Sequence, residues 1–347
     1  MATQQFLVIR LSSIGDIVHT LPAVAALGDT FPQAQIHWAV ETRYAELLEG
    51  NPFVHRVLKL DTLGWRRRLT SAATLEEVLR SCFELRDCAF DAAIDFQGLF
   101  KSALIARLSR ARDRVGFSEP WLRELAAAAF YTQRVGAQGR RHVVEENLAL
   151  VERLQARSPE PANWQFPLPH NARDDAYVDE QLAALGAREF ILINPGAGWI
   201  AKRWAPENYA QLVRRLESRF PWKVLMTGAP DEEALIQEIL QAAGSRQGRL
   251  FRSTLVQFIA LARRAKLFVG GDTGPLHLAA AAGTPIVAIY GPTDPAHNGP
   301  FSPLDVALSN HGPIDHSRRA RNPTYLDGVS VDSVLAAIHE RLSRAHG

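Results

Sequence analysis

The sequence predicts an α/β protein made of two doubly wound parallel-sheet domains. Three observations carry that prediction. Short, almost wholly apolar runs alternate with longer stretches of helical periodicity, as expected of parallel strands covered on both faces. The alternation breaks at a proline-rich segment and then restarts. The 347 residues exceed what one ordinary core employs, so two domains are the default.

The first set of strands is FLVIR (6–10), IHWAV (36–40), VHRVLKL (54–60) and AAIDF (92–96). Helical stretches at 20–31, 74–87, 101–109 and 142–157 separate or follow them. The segment SPEPANWQFPLPHN (158–171) holds four prolines in fourteen residues, which breaks helices and makes a semi-rigid connector. The second set is FILINPG (190–196), KVLMTG (223–228), LFVGGD (267–272) and IVAIYG (286–291). Helices follow at ENYAQLVRRLESRF, led by Pro206 in its first turn, then DEEALIQEILQAA, TLVQFIALARRA and PLHLAAAAG. The expected domains are residues 1–165 and 166–328. A C-terminal helix over 329–347, with Asp332 as a candidate N-cap, is expected to pack back on the first domain.

Composition limits the function classes. Apolar residues make up 47% and charged residues 22%, typical of a globular protein. A net charge of +2 gives no argument for nucleic acid. Cys82 and Cys88 form neither a zinc pattern nor a disulfide framework. No signal-peptide core and no run of about 20 apolar residues is found, so a cytoplasmic location is expected. The chain lacks G-x-S-x-G, H-E-x-x-H, D-x-D and a G-x-G-x-x-G after its first strand. Those absences set aside a serine hydrolase, a zincin, the common metal-diphosphate motif and a nicotinamide dehydrogenase.

In open α/β sheets, ligands bind at the carboxyl ends of strands beside a topological switch point. The loops after strands are therefore where chemistry is expected. SSIGD places Gly15 and Asp16 at a helix start. The carboxylate there can cap the helix, or stay ionised in the dipole and serve as a base. Gly15 permits positive φ or a close ligand approach. NPGAGWIAKRWAPENY combines Gly196 with Lys202 and Arg203, which suits an anion or, equally, a solvated basic pair. GGDTGPLHLAAAAGTP turns through Asp272, Thr273 and Gly274 into a helix whose first N–H groups suit a diphosphate. His277 lies in that first turn and is either structural or functional. TGAPDEE opens a helix with acids, which can hold a ribose or simply favour the dipole. Basic residues gather in the first domain: Arg66, Arg67 and Arg68 in WRRRL, Lys101 after DFQGLF, Arg123 in EPWLREL, and Arg140–Arg141. Guanidinium forks suit phosphate and carboxylate.

Taken together, SSIGDIVHTLPA, DFQGLFKSAL, PGA…AKRW, GAPDEE, GDTGPLHLAAAAGTP and YGPTDP resemble, in order, the motifs of the lipopolysaccharide core heptosyltransferases. The resemblance spans most of the chain, and WRRR and SSIGD favour the heptosyltransferase I branch. It implies a GT-B fold, two facing Rossmann-like domains with an interdomain cleft. The acceptor would sit on the N-terminal domain and the nucleotide sugar on the C-terminal one. It implies inverting, metal-independent transfer from ADP-L-glycero-β-D-manno-heptose to the Kdo of Kdo-lipid A, with no cofactor.

By position, Asp16 resembles the catalytic base, with Gly15 making room for the sugar. Lys202 resembles the lysine at the donor diphosphate, beside Gly196, and Glu232 the acid that holds the ribose. Asp272, Thr273, Gly274 and His277 resemble the donor-binding loop. Arg66, Arg67, Arg68, Gln97, Lys101 and Arg123 fall in acceptor-contacting regions. Two positions depart from the pattern. A family arginine falls near Glu146, and threonines near the diphosphate are replaced by Ala197 and Gly198. A lipid-linked anionic acceptor implies a peripheral place on the cytoplasmic face of the inner membrane. The alternatives are a sibling heptosyltransferase with another acceptor or donor, and a non-catalytic two-domain sugar-binding protein.

Overall fold

The computed structural model describes residues 3–68, 71–309 and 326–344. The chain divides into two compact units, residues 1–169 and 170–347. The division falls four residues beyond the predicted boundary because the connector packs on the first unit. Arg157 N–H donates to Thr30 Oγ1 at 3.0 Å, Gln165 Nε2 to Asp29 at 2.9 Å, and Asn51 Nδ2 to the Pro167 carbonyl at 3.1 Å.

In the first unit β1 (Gln5–Ile9), α1 (Ile14–Thr30), β2 (Gln35–Glu41) and β3 (Arg56–Leu60) lead to α2 (Thr62–Arg67) and α3 (Ala72–Asp87). Then come β4 (Ala92–Asp95), α4 (Phe100–Leu108), β5 (Asp113–Phe117), β6 (Gln133–Val135) and α5 (Val143–Glu152). The six strands are parallel in the order β3-β2-β1-β4-β5-β6. Leu7, Ile9, Ala39, Leu58, Ala93 and Ile105 share one core cluster. α1 begins six residues before the predicted start. Gly15 and Pro22 blur the helical pattern, but a capping box of Ser13 and Asp16 fixes the first turn. Gly15 is thus helical and buried; of the two readings offered for it, positive φ is not adopted.

The second unit opens with α6 (Ala172–Ala184), β7 (Phe190–Asn194), α7 (Pro206–Arg219), β8 (Lys223–Met226), α8 (Glu233–Ala243) and β9 (Arg249–Leu250). It continues through α9 (Leu255–Arg264), β10 (Leu267–Gly271), α10 (Gly274–Ala281), β11 (Ile286–Tyr290), α11 (Pro295–Asn298), β12 (Val306–Ser309) and α12 (Val331–Ser343). Its parallel order is β12-β11-β10-β7-β8-β9. α12 corrects the expectation of a tail packed on the first unit. Its Val334, Leu335 and Ile338 join the second unit's core, and buried Arg341 pairs with Asp305 at 2.7 Å. Residues 345–347 of that predicted helix lie outside the described residues.

Strand order reverses direction between β1 and β4 in one sheet and between β7 and β10 in the other. These are the two topological switch points, where loops at the carboxyl ends diverge and leave room for a ligand. SSIGD follows β1 and DFQG follows β4; the Lys202 loop follows β7 and DTG follows β10. The fold therefore sets four of the sequence-selected loops at the two switch points, one in each unit.

Candidate active site

In the first unit, Arg10 directly follows the apolar strand β1 and has a buried guanidinium, 2% exposed. Its Nη1 donates to the Phe96 carbonyl, its Nε to the Asp16 carbonyl at 3.2 Å, and its Nη2 to Asp16 Oδ1 at 3.1 Å. Arg123 Nη2 donates to the same Oδ1 at 3.1 Å. Oδ2 accepts from the Ser13 N–H at 2.9 Å and from Ser13 Oγ at 3.2 Å. The Asp16 side chain is 20% exposed. Burial alone would raise its pKa; the guanidinia of Arg10 and Arg123 and the Ser13 amide outweigh that and hold it well below the usual carboxylate range. Burial also lowers Arg10, to about 10. Asp16 is thus both an N-terminal cap and an ionised group at the crevice.

The DFQG turn supports this loop from β4. Asp95 is fully buried and accepts from the Gln97 N–H at 2.8 Å, Ser102 Oγ at 2.8 Å and Tyr131 OH at 2.7 Å. Burial pushes its pKa up despite these donors. Gln97, selected as an acceptor contact, is itself buried. Its Oε1 accepts from the N–H groups of Leu11 at 2.9 Å and Ser12 at 3.3 Å. That oxygen holds the loop before Asp16, so the structure gives it a positioning role. Gly98 turns with φ +67°, and a Cβ there would stand 3.4 Å from the Arg123 nitrogen.

A second basic group lies at the ends of β2 and β3. Lys101 Nζ donates to Thr62 Oγ1 at 3.2 Å and stands 3.6 Å from buried Glu41. Thr62 opens α2, whose last turn and end carry Arg66, Arg67 and Arg68, all exposed. Arg68 pairs with Asp61 at 3.4 Å. Lys101 and the arginine run thus share one neighbourhood, while Arg123 joins Asp16.

In the second unit Asp272 is the hub. Its side chain, 2% exposed, accepts from Lys202 Nζ, from Thr293 Oγ1 at 2.7 Å and from Asn298 Nδ2 at 3.0 Å. His277 Nε2 lies 3.1 Å from Asp272 Oδ1. Burial would raise the Asp272 pKa; the His277 hydrogen bond and the Lys202 ammonium hold it well below the usual range. Asp272 thus sets the direction of the Lys202 ammonium and is itself held by His277. Lys202 is 14% exposed and also lies 4.7 Å from the Trp199 ring centroid. Gly271 and Gly291 allow its loop to approach the strand ends: a Cβ there would stand 3.1 Å from the Lys202 carbonyl oxygen and 2.7 Å from that of Ala201.

Thr273 is the N-cap of α10 and makes no side-chain cap bond. Gly274 and Leu276 supply backbone N–H groups there, but Pro275 supplies none, so this N-terminus offers one donor fewer than a full first turn. Glu232 Oε2 accepts from the Ala229 N–H at 2.9 Å, and its carboxylate packs against Gly196. Among the described residues no three His, Cys, Asp or Glu side chains group to hold a metal ion.

The comparisons with known proteins identify the family. A family model described as glycosyltransferase family 9 (heptosyltransferase) matches residues 78–326. The chain belongs to this family. It is 29% identical over 314 residues to lipopolysaccharide heptosyltransferase 1 of Pseudomonas aeruginosa, covering 88% of this chain and 84% of that one. It is 30% identical over 315 residues to the Salmonella typhimurium protein of the same name, covering 87% and 92%. Among solved structures it resembles the E. coli heptosyltransferase WaaC with ADP, with a TM-score of 0.80, 24% identity, and coverage of 97% and 100%. The same protein with ADP-2-deoxy-2-fluoro heptose gives 0.77 at 25% identity, covering 97% and 99%. The two Rossmann-like units are those of the GT-B fold. Sequence reading missed Arg10 and Asp95. The signal for each was a charged residue closing an apolar strand directly before a selected loop.

Proposed function

We propose that this family 9 heptosyltransferase moves L-glycero-D-manno-heptose from ADP-heptose to the Kdo residue of Kdo-lipid A, with inversion and without a metal. The observation that carries the reading is what the loops at each unit's switch point hold. One crevice presents an ionised carboxylate among arginines; the other presents an ammonium beside a helix N-terminus. The relatives named lipopolysaccharide heptosyltransferase 1 and the ADP and ADP-sugar complexes of WaaC support the choice of substrates.

The acceptor hydroxyl attacks the anomeric carbon while its proton passes to Asp16. The bond from that carbon to the diphosphate oxygen breaks, and the electron pair leaves with ADP. Attack opposite the leaving group inverts the centre. Lys202, already oriented by Asp272, neutralises the charge that grows on the diphosphate, with the Gly274 and Leu276 N–H groups beside it. Glu232 takes the ribose hydroxyls. The exposed Arg66–Arg68 run and Lys101 take the acceptor's anionic groups.

No described helix is long and apolar enough to cross a membrane. We assign peripheral attachment at the inner membrane, where the acceptor lies. Exposed Leu75, Leu79 and Phe83 at i, i+4 and i+8 on α3 support it, with Trp65 Nε1 donating to Glu77 at 3.0 Å to join that helix to the arginine-bearing α2. The deciding experiment mixes the protein with ADP-heptose and Kdo₂-lipid A in EDTA. A product heavier by one heptose, of inverted anomeric configuration, is expected. No product, or a strict need for added Mg²⁺, would sink the reading.

A further inference from the structure

Asp16 presents a difficulty for its own role. Its Oδ1 accepts two guanidinium N–H groups and its Oδ2 accepts two donors from Ser13. A carboxylate oxygen accepts a proton through a lone pair, and those directions are in use. One donor must leave before the acceptor hydroxyl can reach Oδ1.

The four donors differ in what holds them. Arg10 is buried and tied to the Phe96 and Asp16 carbonyls as well. The Ser13 N–H belongs to the capping box that starts α1. Arg123 is different: its side chain is 47% exposed. Its backbone neighbourhood is fixed, since Glu124 N–H donates to the Gly98 carbonyl at 3.1 Å and the Glu124 carboxylate accepts the Phe100 N–H at 2.6 Å. A fixed backbone with a half-exposed side chain lets the guanidinium swing without disturbing the loop. The other charged or titratable groups felt around this pair are His19 on α1 and Tyr44 after β2, with Asp95 and Glu146 acting on Arg10.

We propose that Arg123 is an exchangeable cover on Asp16. It leaves Asp16 for a carboxylate of the incoming acceptor, and that exchange frees Oδ1 to receive the hydroxyl proton. Recognition of an anionic acceptor is thereby coupled to exposure of the base. The proposal rests on the acceptor reading given above and adds to it a competition: Asp16 and the acceptor share one guanidinium.

The competition has a signature in binding. Asp16→Asn weakens the hold on Arg123, so an acceptor should bind more tightly to this variant, by about threefold for a half-exposed ion pair. In an Arg123→Ala background the same change should leave acceptor affinity unaltered. The measurement is titration calorimetry of the four proteins of this cycle with deacylated Kdo₂-lipid A. Equal tightening in both backgrounds would mean simple relief of charge repulsion and would overturn the exchange, as would unchanged affinity in both. A second readout is kinetic. Arg123→Ala should raise acceptor KM about tenfold, the loss of one charge-assisted hydrogen bond, while kcat at saturation stays largely intact because Asp16 is then permanently uncovered. A fall in kcat matching the rise in KM would also overturn it. Transfer by the unaltered enzyme is followed beside these by mass gain. Its absence overturns the acceptor assignment, whereas transfer with an additive cycle overturns the exchange alone.

Discussion

The Glu232 carboxylate packs so closely on Gly196 that a Cβ at that glycine would stand 2.0 Å from Glu232 Oε1. One turn after β8 and one turn after β7 are thereby interlocked, and the glycine is what gives the carboxylate its place.

Gly196→Ala should therefore fold normally, because the group it displaces is the far end of a flexible side chain, held by one hydrogen bond from the Ala229 N–H. Unfolding in urea should show a loss of less than about 1 kcal/mol. Under the role proposed for Glu232 at the ribose, its displacement should raise KM for ADP-heptose while acceptor KM holds. Glu232→Gln should give the same pattern. Unchanged donor KM in both variants would remove Glu232 from the donor site.

Arg10→Met should cost about 3 kcal/mol, because it strips a mostly buried carboxylate of its buried partner and leaves the Phe96 carbonyl without its donor. The loss should depend on pH. The folded pKa of Asp16 lies below its unfolded value of about 3.9, so its pairing stabilises the fold above that pH and fades as pH falls towards the folded value. The difference between wild type and variant should be full at pH 7 and shrink below about pH 4. A difference that stays constant down to pH 2.5 would mean that the loss comes from packing alone.

What the sequence showed and what it hid follow the same physics. Both units, their order and most core strands were legible because apolar runs bounded by glycine turns mark buried parallel strands. The strands β5, β6, β9 and β12 were not. β6 and β9 are edge strands of three and two residues, and β5 opens with Asp113 and Arg114, so none shows the apolar pattern. α6 was missed because its apolar face is narrow: only Val178 and Leu182 are buried, while its acids Asp175 and Asp179 face Arg264 of α9 at 2.8 and 2.6 Å. At the site, the loops and Asp16, Lys202 and Glu232 were visible through local motifs. The inward roles of Asp272 and Gln97 were not, because hydrogen bonds to residues 70 and 86 positions away leave no local trace.

Asp272→Asn should reveal a structural hub rather than a ligand. It keeps the size of the side chain but removes the charge facing Lys202. Because a buried pair is broken, stability should drop by about 3 kcal/mol or more. ADP binding should survive, since Lys202 is then free to meet the diphosphate. Lys202→Ala should do the reverse, weakening ADP and lowering kcat. If Asp272→Asn abolishes ADP binding in protein shown to be folded by circular dichroism, Asp272 touches the donor directly.

Asp16→Asn should lower kcat by about 10²–10⁴-fold, the usual worth of a general base. The amide still accepts from Ser13, so the α1 cap and the donor KM should survive. Normal turnover would leave Asp16 with its capping role alone.

The arginine run tests the acceptor side by charge. Arg66 and Arg67 are exposed in the last turn of α2, while Arg68 shares its charge with Asp61 at 3.4 Å. A double Arg66→Gln, Arg67→Gln variant should therefore raise acceptor KM more than Arg68→Gln does. Neither should change donor KM, because these residues belong to the first unit and the proposed diphosphate contact, Lys202, to the second. Added salt should raise acceptor KM in the wild type, since exposed charges are screened over about 8–10 Å at ordinary ionic strength. That salt dependence should flatten in the double variant, where the charges being screened are gone. Equal rises in donor and acceptor KM, or an unchanged salt slope, would take Arg66 and Arg67 out of acceptor binding.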